Sequence, residues 1–111
     1  MKRSIDWFVG LYEGEGHISS SRRQVQLVIR STDEDVLRDV VDTVGGNYTC
    51  VRDSSAPSHW KSIYQWRFNT SVAVARYPER MQLIEYLFAK CNTRRSSQIA
   101  EAIDKASTFV P

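Results

Sequence analysis

The chain has 111 residues, 41% hydrophobic and 25% charged, with a formal net charge of +2. That length and balance suit a single folded domain over 1–111 and exclude a disordered chain. No apolar run approaches the ~20 residues of a membrane span, no apolar h-region follows Lys2 and Arg3, and Cys50 and Cys91 are too few for a disulfide scaffold and lack zinc-like spacing. A soluble intracellular domain with no membrane partner is expected.

Ser4 can cap a first helix from Ile5 to about Glu15, with Asp6 in its first turn and Gly16 as terminator. Residues 17–21 and 24–30 read as two paired strands joined by a turn at Ser21-Arg22-Arg23. In the second strand Val25, Leu27 and Ile29 face one way, and Gln24, Gln26, Val28 and Arg30 the other. Ser31 or Thr32 starts a second helix, which carries Val36, Leu37, Val40, Val41 and Val44 and stops at Gly45-Gly46. A strand over Asn47–Arg52 and a loop over Asp53–Trp60 follow. Tyr64, Trp66 and Phe68 then alternate with Gln65, Arg67 and Asn69, a fourth strand whose aromatic side belongs to the core. Residues 71–76 and 79–90 read as helical, interrupted at Tyr77-Pro78, and a last helix runs from about Ser96 to Ala106. This order predicts an α+β fold, αββαββα(α), with four antiparallel strands in one sheet. Helices cover one face, and Gln, Arg, Asn and Ser populate the other.

Charge is unevenly spread. Thr32–Val44 carries a net −4, leaving +6 on the rest of the chain, of which +5 falls in His17–Ser31 and Gly45–Thr70. A polyanion-binding face can be basic while the rest of a molecule is not; scattered solvated charge is the alternative.

The first helix breaks two local rules. At about 100° per residue, Trp7, Gly10, Leu11 and Gly14 form one stripe, and Ile5, Phe8, Val9 and Tyr12 a second apolar one. One stripe suffices to cover the chain's own sheet, so the other asks for a partner at side-chain-free notches four residues apart. The alternative is a fully buried helix whose glycines accommodate a neighbour within the chain. Glu15 also sits in the last turn, where the helix dipole disfavours a carboxylate. Two such carboxylates across a symmetric helix pair would repel, unless Mg²⁺ drew on them and on the Gly14 carbonyl as hard oxygen ligands. Alternatively, Glu15 is a solvated helix-end residue.

Phe8-Val9-Gly10-Leu11-Tyr12-Glu13-Gly14-Glu15-Gly16 resembles the motif that names the LAGLIDADG homing endonucleases. Gly10, Leu11 and Gly16 match outright. Glu13 and Glu15 replace the two aspartates, Gly14 replaces alanine, and Tyr12 replaces isoleucine. Thr32–Leu37 with Val44-Gly45-Gly46 is similar to the family's second helix, and Arg94-Arg95-Ser96-Ser97-Gln98 to the basic opening of its last helix. A single copy of the motif implies a homodimer built about the first helices, with Trp7, Gly10, Leu11 and Gly14 at the seam and a saddle-shaped sheet.

Carried across, the resemblance makes Glu15 the metal-binding catalytic carboxylate with the Gly14 carbonyl beside it, and Mg²⁺ (or Mn²⁺) the cofactor. Glu13 becomes a structural acid near the helix end. Arg95, or Arg94, stands where the family often has a lysine near the scissile phosphates, although arginine is a poor proton shuttle. Arg30 corresponds to a polar active-site position at the end of the second strand. The implied partner is double-stranded DNA, cut once per strand near the centre of a long, nearly palindromic site. Gln24, Gln26, Val28, Arg30, Gln65, Arg67 and Asn69 would face base edges in the major groove, and Arg22, Arg23, Arg52, His59 and Lys61 phosphates or flanking bases. Two alternatives share the fold: a cleavage-impaired splicing maturase that binds RNA, and a DNA-binding regulator without metals.

Overall fold

Alternating apolar and polar residues decide which way each strand faces, and the sheet follows. A computed structural model describes residues 1–21, 24–52, 62–71 and 78–107. Its elements are α1 (Ile5–Glu15), β1 (Gly16–Ser21), β2 (Gln24–Ser31), α2 (Glu34–Val44), β3 (Asn47–Arg52), β4 (Ile63–Ser71), α3 (Pro78–Lys90) and α4 (Thr93–Ser107). The four strands form one antiparallel sheet in the order β1-β2-β4-β3. The fold is therefore the expected α+β arrangement. No helix among the described residues is long and apolar enough to cross a membrane.

One face of the sheet is the floor of the core. Val25, Leu27 and Ile29 of β2, Trp66 and Phe68 of β4, and Ile18 of β1 are buried there. All four helices add to the same cluster: Phe8, Val9 and Tyr12 from α1, Leu37 and Val40 from α2, Ile84 and Leu87 from α3, and Ile99, Ala102 and Ala106 from α4. Burying apolar area of this kind is the main source of stability. At its centre Phe8 meets the edge of Trp66 at 5.5 Å between ring centroids, and Trp66 stacks on Phe68 at 5.9 Å.

Three boundaries differ from the expectation. Ser31 stays in β2, paired with Tyr64, so Asp33 becomes the cap of α2, its carboxylate accepting from the Asp35 N–H at 3.0 Å. Ser71 is the last residue of β4, paired with Gln24, rather than the first of a helix; the rest of the expected 71–76 helix lies outside the described residues. The last helix begins at Thr93, three residues before the expected Ser96, because Asn92 accepts the Arg95 N–H through its side chain at 3.0 Å. The Ser96 hydroxyl instead donates to the Phe88 carbonyl at 2.7 Å, tying α4 to the end of α3.

Between α2 and β3 the chain reverses through Gly45 and Gly46, at φ 84° and 86°. A Cβ on Gly46 would lie 2.7 Å from the Arg67 carbonyl oxygen and 2.7 Å from the Trp66 indole nitrogen, which itself donates to the Gly45 carbonyl at 2.8 Å. Gly46→Ala is therefore expected to destabilise the fold by about 2–3 kcal/mol through backbone strain and clash. Denaturant unfolding checks this, and a loss below about 0.5 kcal/mol would contradict the packing described.

Candidate functional site

The outer face of the sheet is ordered into rows by strand register. Ser19, Gln26 and Asn69 stand opposite one another across β1, β2 and β4. The next row is His17, Val28, Arg67 and Asn47, and the next Arg30, Gln65 and Thr49. Gln24, Arg30, Arg67 and Asn69 are exposed, and Gln26 and Val28 half-buried. The face thus offers amides, hydroxyls and two guanidinium groups, with one apolar residue in its middle. Gln65 is the exception: it is only 5% exposed, and its Oε1 accepts from Arg30 Nε at 2.7 Å. Its amide oxygen is therefore engaged within the sheet, which sets it apart from the exposed amides expected to face base edges.

Glu15 is exposed at the end of α1, where the helix runs directly into β1. It lines a depression of about 500 Å³ on the sheet's outer face, together with His17, Gln26, Val28, Arg30 and, at its floor, Gln65. It also lines a second one, about 520 Å³, with Leu11, Ile29, Arg30, Val36 and Ile63. Glu15 and Arg30 are common to both.

The stripe leading to Glu15 is open. Gly10 and Gly14 are exposed, Trp7 and Leu11 half-buried, and a Cβ built on either glycine would meet nothing within 4 Å. Among the described residues nothing stands against these glycines, and the helix is not fully buried along this stripe. The opposite stripe is used as expected at Phe8, Val9 and Tyr12, whereas Ile5 is 37% exposed.

The end of α1 is tied to the start of α4. Glu13 accepts the Asn92 N–H through Oε1 at 2.7 Å, and its carbonyl accepts from Arg95 Nε at 3.0 Å. Arg95 also donates through Nη1 to Gln98 at 3.1 Å and lies 6.0 Å above the Tyr12 ring. A cation thus meets free carbonyls at one helix end and a carboxylate the N–H groups at the other, as the two dipoles favour. Burial pushes the Tyr12 phenol up to about 12, against the lowering effect of Arg95. Burial, with Glu13 nearby, likewise pushes the Cys91 thiol up. Glu13→Ala is expected to cost about 1 kcal/mol, and Glu13→Gln less, since the amide keeps an acceptor. Thermal unfolding of the two variants checks the order.

The structure thus brings Glu15, Arg30, Gln26 and Val28 to one depression, with Gly14 preceding Glu15 on α1, and sets Arg67 and Asn69 beside Val28 and Gln26 on the same face, with Gln24 at the far end of β2. Arg95 is turned beneath α1, and Arg94 beside it is exposed. Arg22, Arg23, His59 and Lys61 lie outside the described residues, as does the side chain of Arg52, whose backbone pairs with Ile63. His17, Ser19, Asn47 and Thr49 share the outer face but were not singled out from sequence. Strand alternation around Ile18 could have found the first two.

The α1–β1–β2–α2–β3–β4 order and the β1-β2-β4-β3 sheet make up a fold that is also found among solved structures. Among solved structures the chain is similar to the crystal structure of a homing endonuclease, I-TnaI, with a TM-score of 0.62 and 18% identity over 90% of this chain and 69% of that one. No family model matches the chain, and no curated protein matches it.

Proposed function

We propose that the chain is a DNA endonuclease of the homing type, working as a homodimer that makes metal-dependent double-strand cuts in a long, nearly palindromic site. The observation that carries this reading is the open glycine stripe of α1 running into an exposed Glu15 beside Arg30, at the edge of a polar sheet face. The fold it shares with I-TnaI and the resemblance of its first helix to the LAGLIDADG motif point the same way.

The donor set fits a hard divalent cation. Glu15 and the Gly14 carbonyl, an orphan acceptor of the helix end, are both oxygen ligands. Among the described residues no group of three or more His, Cys, Asp or Glu assembles within one chain. A site would therefore draw a second carboxylate from the symmetry-related Glu15, with the DNA phosphate completing it. When bound, Mg²⁺ or Mn²⁺ supplies Lewis-acid stabilisation of the phosphodiester and makes the attacking water more acidic. The chain's own parts do the rest: Gly10 and Gly14 let the helices approach, Arg30 offers donors to a phosphate, and Gln24, Gln26, Arg67 and Asn69 present amides and a guanidinium suited to adenine and guanine edges. Val28 suits a thymine methyl.

Incubation with Mg²⁺ and the intact or intron-interrupted form of its own locus tests the reading. The endonuclease cuts the uninterrupted allele alone. Splicing of precursor RNA without cutting would favour a maturase, and binding without either a regulator. The log of affinity should also fall with log salt at about −0.9 per neutralised phosphate, so a flat response would contradict groove binding.

A further inference from the structure

We infer that Gln65 is a positioning residue: its buried amide holds the Arg30 guanidinium ready for a phosphodiester, rather than reading a base itself. The phosphate in this statement rests on the endonuclease reading, whereas the hold on Arg30 belongs to the fold. Three observations converge on it. Arg30 and Gln65 are direct cross-strand partners in the β2–β4 ladder, with Thr49 on the far side of Gln65. Gln65 is 5% exposed, while Arg67 and Asn69, which follow it on the same face of β4, are exposed. The Nε–Oε1 bond is 2.7 Å, at the short end for an N–H donor and charge-assisted.

The choice of atoms matters. Using Nε for the hold leaves the four N–H groups on the two Nη atoms for an incoming anion. Arg30 itself is exposed and lines both depressions that Glu15 lines, so the guanidinium and the carboxylate share one site. A guanidinium already fixed at Nε loses less freedom on meeting phosphate than a free one. Glutamine also fixes it without cancelling its charge, as glutamate here would. A neutral, buried acceptor under an exposed arginine is what presentation to a polyanion requires.

The test compares Gln65→Leu, and Gln65→Met should the leucine variant fail to fold, with Gln65→Glu, Arg30→Ala and the double variant. Cutting and binding are read on duplexes selected by binding from a random library. Gln65→Leu is expected to slow single-turnover cutting about 10²-fold through misplacement. Its DNA Kd should change less than about threefold, and adding it to Arg30→Ala should change the rate less than about twofold, because the two act as one unit. Losses that multiply independently, or an effect confined to base preference at one position, would overturn the inference. Hydrogen exchange at the Arg30 Nε–H reads the hold without DNA: protection is expected in the wild type and in Gln65→Glu, and its loss in Gln65→Leu. An Arg30 Nε–H that exchanges as fast as that of Arg94 overturns the inference whatever the protein does to DNA. A protected Nε–H in a protein that cuts no selected duplex supports the hold and places the failure in the endonuclease reading.

Discussion

Glu15→Gln is expected to slow Mg²⁺-dependent cutting by at least about 10³-fold, the scale of several kcal/mol of transition-state charge stabilisation, while specific DNA binding persists. The substitution keeps the shape of the side chain and removes only its charge. Glu15 is exposed, and no hydrogen bond or ion pair to it is found among the described residues, so the fold loses nothing that would confuse the result. Relieving a carboxylate at a helix C-terminus should leave thermal stability unchanged or slightly raised. Chelation of the metal by EDTA should reproduce the loss in the wild type and add nothing in the variant. Cutting at an unchanged rate by Glu15→Gln would remove Glu15 from the reaction.

The second large effect concerns Gly10, and its sign depends on what is measured. Among the described residues of the single chain, a Cβ on Gly10 or Gly14 meets nothing within 4 Å. Gly10→Ala and Gly14→Ala should therefore stabilise the isolated chain by up to about 1 kcal/mol each, since glycine is a poor residue inside a helix. If two copies pack α1 against α1, bulk at the same positions must instead separate them. Gly10→Leu is expected to weaken dimerisation at least about 100-fold, because overpacking two symmetric notches costs on the order of 3 kcal/mol. Cutting should fall with it. Sedimentation as a function of concentration separates the outcomes; a Gly10→Leu protein that still dimerises and cuts like the wild type would place the interface elsewhere.

Much of this was legible in the sequence, for reasons that are local. Ser4 and Gly16 bracket α1, and the Ser4 side chain does accept the Trp7 N–H at 3.1 Å. Alternation in β2 and β4 assigned the buried and outer faces residue by residue. The glycine stripe announced an uncovered surface because its cost within a helix had no local return. What was hidden depends on contacts between distant segments. Gln65 alternates as an outer-face residue, and only the β2–β4 register shows that Arg30 lies against it. Arg95 reads as a free cation at a helix start, but its Nε is taken by a carbonyl 82 residues earlier. The true cap of α4, Asn92, competed with two serines of equal local merit, and the Glu13 carboxylate that receives its N–H comes from α1. The outward direction of His17 and Ser19 is weakly marked in the sequence, because Ile18 is the buried apolar side chain of β1 that sets its alternation.

The central claim is that two copies join along α1 and bring their Glu15 carboxylates together over DNA. The most direct measurement is a crystal structure of the protein on a cleavable duplex with Mn²⁺, located by its anomalous scattering. The account predicts Mn²⁺ at the seam between two chains, held by Glu15 from each copy beside the Gly14 carbonyl, with the scissile phosphate alongside. A single chain on the duplex, or a pair whose Glu15 carboxylates lie too far apart to share a metal site, would contradict it.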